Sequence, residues 1–443
     1  MMFFGKKKQD EVAKAIENRS DEEGQDYWSI VRRQFRRNRL AVWSLRFFYV
    51  IVFLAIFADF IANERPLYCN VDGETYFPVF RQYLVDLGMA QWDEKFVYKK
   101  WLEQDYESAI FPPITYSPTT KDYKNTKFVG PFDEQKIGKN NGWHYLGTDN
   151  LGQDVASGMI HGTRTAMLVG LIAMSIATLI GIFFGALSGY FGDDRLKVSR
   201  IRILLNSIAF ILAIFYAFGV RSYAFGDALG EGRLFGQLGI TFGIFAGIFA
   251  IANLLTIPLK RIPILGKRVV VTLDILIMRL IEVVNSIPIL ILILAIIAII
   301  EKPSLVYVMV IIGIVSWTGI AKFIRAELLR VRRLEYIEAA QAFGYSEFRI
   351  IMRHAIPNAL APVLIAVAFG IASAILTESF LSFIGVGVPD DQVTWGSLLK
   401  LSRDKFSAWW LAIFPGMAIF ITVTIFNLLG EGLTDALDPR QKQ

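Results

Sequence analysis

Polar and ionisable residues at regular spacing precede one of the most apolar runs of the chain. Asp274, Glu282 and Ser286 are separated by eight and four residues, close to whole helical turns, so they share one face of a predicted helix. Charged groups beside so apolar a run are costly unless they face protein or a water-filled cavity. The spacing therefore fits two interpretations equally: a face that lines a solute pathway, or an ordinary stabilising pair between Arg279 and Glu282.

Residues that could support catalysis or metal binding form no recognisable motif. The sequence contains no Gly-x4-Gly-Lys-Ser/Thr phosphate loop, no Gly-x-Ser-x-Gly nucleophile turn and no His-Glu-x-x-His helix. Cys69 is the only cysteine, and His144, His161 and His354 show no metal-ligand spacing. We therefore expect no metal, no cofactor and no catalytic residue on this chain, which argues against a membrane-bound hydrolase.

The segment 335–358 is predicted to begin with a short amphipathic helix that ends in a tight turn. Glu338, Ala339 and Ala340 have good helix propensity, and Gly344 can end the helix in the left-handed conformation. One apolar stripe follows the helix, formed by Tyr336, Ile337, Ala340 and Phe343. The helix is therefore expected to present an apolar face.

A second helix is predicted after the glycine. Ser346 suits its N-cap, and the helix is expected to run to Arg353. Ile356, Pro357 and Asn358 then mark the start of the next apolar run. A helix–glycine–helix of this kind is suited to a groove on a partner protein, and equally to resting on lipid headgroups. The local pattern leaves both possibilities open.

The composition predicts that these segments belong to a membrane bundle. Apolar residues make up 54% of the 443 residues, and charged residues only 19%, against about a quarter in soluble proteins. A helix needs about 20 residues to cross the apolar core of a bilayer. Eight apolar runs are predicted to span it, at 41–62, 166–190, 203–220, 236–258, 273–300, 305–325, 358–377 and 408–430.

The basic residues predict how these spans are oriented. The net charge is +6, and the arginines and lysines cluster in alternate loops: 1–40, 191–202, 259–272 and 326–357. This is the positive-inside pattern and not a nucleic-acid patch, so both termini are expected in the cytoplasm. The first 26 residues are polar and lack the apolar core of a secretory signal, so the run at 41–62 is expected to be an uncleaved first span.

The same pattern divides the chain into parts. A basic cytoplasmic segment, 1–40, precedes the first span, and an extracytoplasmic loop domain is expected over 63–165. This loop is rich in aromatic residues and is predicted to fold into a small cap. The remaining transmembrane domain, 166–440, contains the cytoplasmic segment 335–358.

The motif Glu338-Ala339-Ala340-x3-Gly344, followed by Ile356-Pro357, resembles the EAA loop of bacterial ABC import permeases. In that family the loop forms the coupling helix that docks into the nucleotide-binding subunit. The resemblance therefore favours docking over membrane resting, and it implies an ATPase-coupling role for Glu338, Ala339, Ala340, Gly344, Ile356 and Pro357.

Three further blocks resemble the dipeptide and oligopeptide permeases. The first, from His144 to Arg164, contains Gly147-Thr-Asp-Asn-Leu-Gly-Gln-Asp154; the second runs from Glu378 to Ser397; the third is Asn427 to Arg440. The basic stretch Trp28–Leu45 is similar to their N-terminal segment. The blocks follow the family order and imply an all-α polytopic bundle of the type I ABC importer permease. One departure is the segment 203–258, which adds a predicted helix pair to the six-helix family core.

The resemblance implies a permease subunit that imports peptides or related small solutes and forms half of the pathway. ATP and Mg²⁺ would bind to separate ATP-binding subunits, and a second permease, an extracytoplasmic solute-binding protein and membrane lipid would be the other partners. Pathway-lining candidates are Glu282, Asn285, Ser286, Glu378 and Ser379. The alternatives are an ion-coupled secondary transporter or channel and, within the family, import of nickel or another solute. Nucleic acid is not an expected partner.

Overall fold

The protein is described from a computed structural model that covers residues 27–97, 100–192, 197–221, 224, 234–270, 272–300, 304–389 and 392–437. It divides into two compact units, one of residues up to 185 together with those from 283 onward, the other of residues 186–282. Predictions that fall on residues 1–26 and 438–443, including the end of the third family block, lie outside the described residues.

The first unit is predominantly helical. Its helices are α1 (Tyr27–Arg37), α2 (Arg39–Ile56), α3 (Ala58–Ile61), α4 (Pro78–Asp86), α5 (Glu94–Val97), most of α6 (Val155–Ala186), α11 (Ile289–Ile297), α12 (Leu305–Val331), α13 (Glu335–Ala342), α14 (Glu347–Ile350), α15 (Ile356–Phe383), α16 (Trp395–Leu401) and α17 (Trp410–Leu437). Residues of α6, α11, α12 and α15 form its apolar core, among them Val169, Ile293, Ile312 and Leu381.

Glycines on α6 let a neighbouring helix approach closely. A Cβ added to Gly181 would lie 2.7 Å from Ile320 Cβ, and one added to Gly185 would lie 2.7 Å from the Ala321 carbonyl oxygen. Since real Cβ atoms do not come so near, both positions need glycine for α6 and α12 to pack.

The loop domain, residues 63–154, contains a small sheet and an aromatic core. Strands β1 (Tyr68–Val71), β2 (Glu74–Tyr76) and β3 (Ser108–Ile110) form an antiparallel sheet in the order β2-β1-β3. The sheet covers an aromatic core that includes Tyr76, Phe96 and Trp101. The helix that follows, α6, begins at Val155, so the predicted boundary at 165 is too late.

The second unit contains the predicted helix pair. Helices α7 (Arg200–Ile214, continued by a wider turn over Phe215–Val220) and α8 (Leu234–Leu259) run antiparallel, since Arg202 and Asn206 bond Asn253 and Arg221 bonds Gln237. Short α9 (Pro263–Gly266), strands β4 (Lys197–Ser199) and β5 (Arg268–Val270), and most of α10 (Leu273–Asn285) complete it.

Eight spans are predicted, one or two more than the described part of the chain shows by helix length and apolar composition. Six helices there are long and apolar enough to cross a membrane, or seven if α10 and α11 count as one broken span. Helix α7 is not among them: its regular part has 15 residues, and Arg202, Asn206 and Ser207 make that part less apolar. The predicted single span at 273–300 breaks between Asn285 and Ile289, because Pro288 has no N–H donor and disfavours helix at the residue before it.

Candidate functional site

The segment Glu335–Asn358, called the docking loop from here on, begins with α13. Ile337 and Ala340 are buried, at 0% and 7% exposure, whereas Glu338 and Ala339 are exposed. Burial of these two side chains holds the helix against the first unit. The acidic residues therefore remain on the free side of α13.

Gly344 ends α13 as predicted. Its φ is +78°, and nothing lies within 4 Å of a Cβ added there, so the requirement for glycine is conformational and not steric. The Tyr345 N–H donates to the Ala340 carbonyl at 3.2 Å and the Gly344 N–H donates to the Gln341 carbonyl at 2.9 Å. These bonds satisfy the last carbonyls of the helix and fix the direction of the turn.

The second helix differs from its prediction. Ser346 caps α14 as expected, since its hydroxyl accepts from the Arg349 N–H. The helix does not stop at Arg353: a wider turn over Ile351–Ala355 leads directly into α15, and residues Glu347–Phe383 form one continuous helical segment.

Pro357 is accommodated at the first turn of α15. Proline cannot donate to a carbonyl one turn earlier, and the wider turn before it relieves the clash that a regular helix would suffer. The Asn358 side-chain amide donates to the His354 carbonyl at 2.6 Å. The docking loop is thereby joined to a spanning helix without a flexible connection.

The exposed side of the docking loop carries large apolar side chains beside its charged residues. Five large side chains, called the loop patch, are exposed there: Tyr336 at 43%, Phe343 at 81%, Tyr345 at 45%, Phe348 at 73% and Met352 at 52%. The predicted stripe is therefore split, with Ile337 and Ala340 inward and Tyr336 and Phe343 outward. Exposed aromatic residues on a fixed short element are typical of a protein-binding surface.

A cavity of about 560 Å³ lies within the first unit, among residues of α11, α12 and α15. Asn285, one of the predicted pathway residues, lines it, and the Thr318 hydroxyl donates to the Asn285 side-chain oxygen at 3.0 Å. Ser316 and Ser373 also line it. These three hydroxyl residues were not among the predicted pathway residues, because serine and threonine within long, mainly apolar helices form no distinctive pattern.

Glu282 and Ser286 are not among the residues that line this cavity. Glu282 is exposed and pairs with Arg279 at 2.6 Å, the alternative that the sequence left open. The Ser286 hydroxyl donates to the Val283 carbonyl at 2.7 Å. Asp274, on the same predicted face, is buried and accepts from the Ser188 hydroxyl within the second unit.

Glu378 and Ser379 are buried at the end of α15 and do not line the cavity either. The Ser382 and Ser379 hydroxyls donate to the Glu378 carboxylate. A Cβ on Gly396 of α16 would lie 2.3 Å from the Ser379 carbonyl oxygen. Their contacts close α15 onto α16.

The first family block builds a buried ionic cluster in the loop domain. His144 Nδ1 lies 2.7 Å from Asp154 Oδ2, its Nε2 lies 3.4 Å from Asp122 Oδ2, and the Tyr116 ring stacks on the imidazole at 4.2 Å. Burial lowers the pKa of His144, but its bonds to both aspartates outweigh that effect and raise it. Burial raises the pKa of Asp122, but its hydrogen bonds to His144 and Asn125 outweigh that effect and lower the pKa to about 2.

Comparison with known proteins gives matches at both ends of the chain. Residues 239–443 match the family described as binding-protein-dependent transport system inner membrane component. Residues 26–78 match the N-terminal transmembrane domain of oligopeptide transport permease C.

Curated relatives align along nearly the whole sequence. An inner membrane ABC transporter permease of Escherichia coli (strain K12) is 28% identical, over 92% of this chain and 96% of its own. A peptidoglycan transport system permease of Agrobacterium fabrum is 28% identical, over 92% of both chains. An oligopeptide transport system permease of Haemophilus influenzae is 25% identical, over 95% of this chain and 91% of its own.

The spanning helices and these matches lead to the same assignment. The chain is a multi-pass protein of the inner membrane, and it belongs to the permease components of binding-protein-dependent ABC importers.

Proposed function

We propose that the docking loop binds an ATP-hydrolysing subunit and transmits its movement to the solute pathway of a peptide importer. The observation that carries this proposal is the loop patch: large apolar side chains exposed on two short helices whose opposite sides are buried. Exposed apolar surfaces of this kind mark contacts with a partner protein or with a membrane, and the resemblance to the EAA loop favours a protein cover here. In a transporter without a phosphate loop of its own, the cover that can supply energy is an ATPase.

Coupling follows from the continuity of the chain. A displacement of α13 passes through the Gly344 turn to α14 and then into the helical segment Glu347–Phe383, which crosses the membrane. Two sites are thereby linked by one mechanical element, as an allosteric coupling requires. Glu338, Ala339, Ala340, Gly344, Ile356 and Pro357 would belong to that element.

The cavity beside α11, α12 and α15 supports a peptide-like solute. Its walls are mainly apolar, and Asn285, Ser316, Thr318 and Ser373 supply neutral hydrogen-bonding groups suited to peptide amides. No ionisable side chain is among its lining residues in the described chain. This composition favours peptides over a bare nickel ion and over an ion-coupled mechanism. The relatives whose names specify peptidoglycan and oligopeptide support the same class.

The remaining partners follow from this role. ATP and Mg²⁺ would be held by one or two ATP-binding subunits, and this chain would hold no cofactor and catalyse no reaction. A second permease would complete the pathway, and a solute-binding protein would deliver the solute on the side of the loop domain. We infer that both termini face the cytoplasm, because the basic loops would then lie inside. Lipid would surround the bundle, and nucleic acid would have no part.

Co-purification tests the docking assignment. Phe343→Glu places a charge in the centre of the loop patch, so the variant permease complex should lose its ATPase in mild detergent. Phe406→Glu is the matched control, because Phe406 is equally exposed, at 94%, outside the docking loop. Retention of the ATPase by the Phe343→Glu complex would contradict the proposal.

A further inference from the structure

Helix α4 of the loop domain has its polar residues turned inward. Arg81 Nη2 contacts Asp93 Oδ1 at 2.8 Å, and Gln82 accepts a hydrogen bond from Trp92 Nε1 at 2.9 Å. Val79 beside them is buried, at 1% exposure. The side of α4 that faces the domain is therefore partly polar.

The opposite side of α4 is apolar and exposed. Its residues, called the α4 face, are Phe77, Phe80, Tyr83, Leu84, Leu87 and Met89, with exposures from 40% to 72%. Phe80, Leu84 and Leu87 follow the three-to-four-residue spacing of one helical stripe. A helix that bordered water would have the reverse arrangement, so this stripe needs an apolar cover.

The α4 face continues the lipid-facing surface of the first span. Helix α2 exposes Phe47, Val50 and Phe53, as a membrane-spanning helix does on its lipid side. From there the rings form an unbroken series: Phe53 to Phe57 at 4.7 Å, Phe57 to Phe60 at 6.0 Å and Phe60 to Phe80 at 5.1 Å. The apolar surface thus runs from the spanning helix directly onto α4.

A polar junction fixes α4 at the end of the span. The Tyr83 hydroxyl donates to Asp59 at 2.6 Å, and Asp59 also pairs with Arg164 at 2.8 Å. The arrangement places an aromatic residue with a polar tip where the span leaves the membrane, which is the preferred position of tyrosine at a membrane–water interface.

We propose that the α4 face lies in the headgroup–acyl boundary of the adjacent leaflet and anchors the loop domain to lipid. The α4 face is continuous with the lipid-facing side of α2, and this continuity favours lipid over a protein partner. A protein that covered α4 would divide one apolar surface, so that only the part before Phe57 could contact the bilayer. The inference depends neither on the transported solute nor on which side of the membrane is cytoplasmic. An amphipathic helix bound in this way restricts the domain to the membrane surface.

Spin labels on the assembled transporter in lipid nanodiscs test the proposal. The native Cys69 is fully buried and its thiol pKa is raised to about 11 by burial, so Leu84→Cys and Leu87→Cys can be labelled with the unchanged chain as a blank. Glu103→Cys is the control, because Glu103 is an exposed residue of the same domain. Collision rates with oxygen, which concentrates in lipid, and with a water-soluble nickel chelate are compared.

The expected result is an oxygen-to-nickel collision ratio several-fold higher at positions 84 and 87 than at 103. Equal ratios at all three positions would place α4 in water and overturn the proposal. Low collision rates with both reagents would also overturn the proposal, because they would show that a protein covers α4. That protein would be the solute-binding protein if the protection appears only when it is added, and the second permease otherwise. ATP-driven uptake by the same transporter, reconstituted into lipid vesicles, tests the transport function separately.

Discussion

The docking loop and the loop domain are held in place by different forces. The docking loop depends on a few apolar contacts, those of Ile337, Ala340 and Ile350, and on the backbone turn at Gly344. The loop domain depends on buried polar groups, with His144 between two aspartates. A surface that a partner moves needs few contacts with the rest of the chain. A rigid domain is stabilised by a network of buried polar groups, in which each group depends on its partners.

The largest effect is expected from breaking the ionic cluster. Asp154→Leu leaves a buried imidazole without its 2.7 Å partner, and removing one member of a buried pair costs about 3–5 kcal/mol. Limited proteolysis of the loop domain should become much faster, while the ATPase should still co-purify. Asp105→Ala is the control: its pair with Lys139 is exposed, and such pairs contribute about 0–1 kcal/mol. Equal protease resistance in the two variants would remove the contrast between the regions.

A smaller effect is expected at the turn of the docking loop. Gly344→Val forces a β-branched residue to a φ of +78°, a strain of about 1–3 kcal/mol, and should distort the turn. ATP-driven uptake by the reconstituted complex should fall, while the chain remains in the membrane. Gly344→Asn should retain most uptake, because asparagine tolerates this conformation better. Unchanged uptake with valine would show that the turn has no part in coupling.

The smallest effect is a pH dependence confined to the loop domain. The pKa of His144 is raised by folding, so its contribution to stability is complete below its ordinary value of 6.5 and is lost as pH rises through the folded value. The pKa of Asp122 is lowered to about 2, so its contribution is complete above 3.8 and is lost as pH falls toward 2. Protease resistance of the domain should therefore decline as the pH rises above 6.5 and through the folded pKa of His144. A rise instead would contradict the assigned partners of His144.

Local chemistry explains which parts of the docking loop could be predicted. Gly344 and Ser346 act through their own backbone conformation and hydroxyl group, so their roles are readable from the residue types. The predicted end of the helix at Arg353 is wrong, because the wider turn over Ile351–Ala355 accommodates Pro357 and continues the helix into α15. Which half of the apolar stripe turns outward also depends on packing.

The predictions for the membrane bundle were limited in the same way, because they also depend on how the helices pack. Of the predicted pathway residues, Asn285 lines the cavity, whereas Glu282, Ser286, Glu378 and Ser379 are not among its lining residues. Residue type cannot distinguish a carboxylate that contacts solute from one buried against serines, as Glu378 is. The weak span at 203–220 was predicted from its apolar residues, and its regular helix has 15 residues and includes Arg202, Asn206 and Ser207.

The continuous helical segment Glu347–Phe383 can act as a lever. Its 37 residues extend about 55 Å, nearly twice the thickness of the apolar bilayer core. A tilt of about 10° around its midpoint would displace each end by about 5 Å, a distance close to one helical turn. At the far end lies the tight contact between Ser379 and Gly396, with no space for relative sliding. A small push on the loop patch would therefore carry α16 along the same arc.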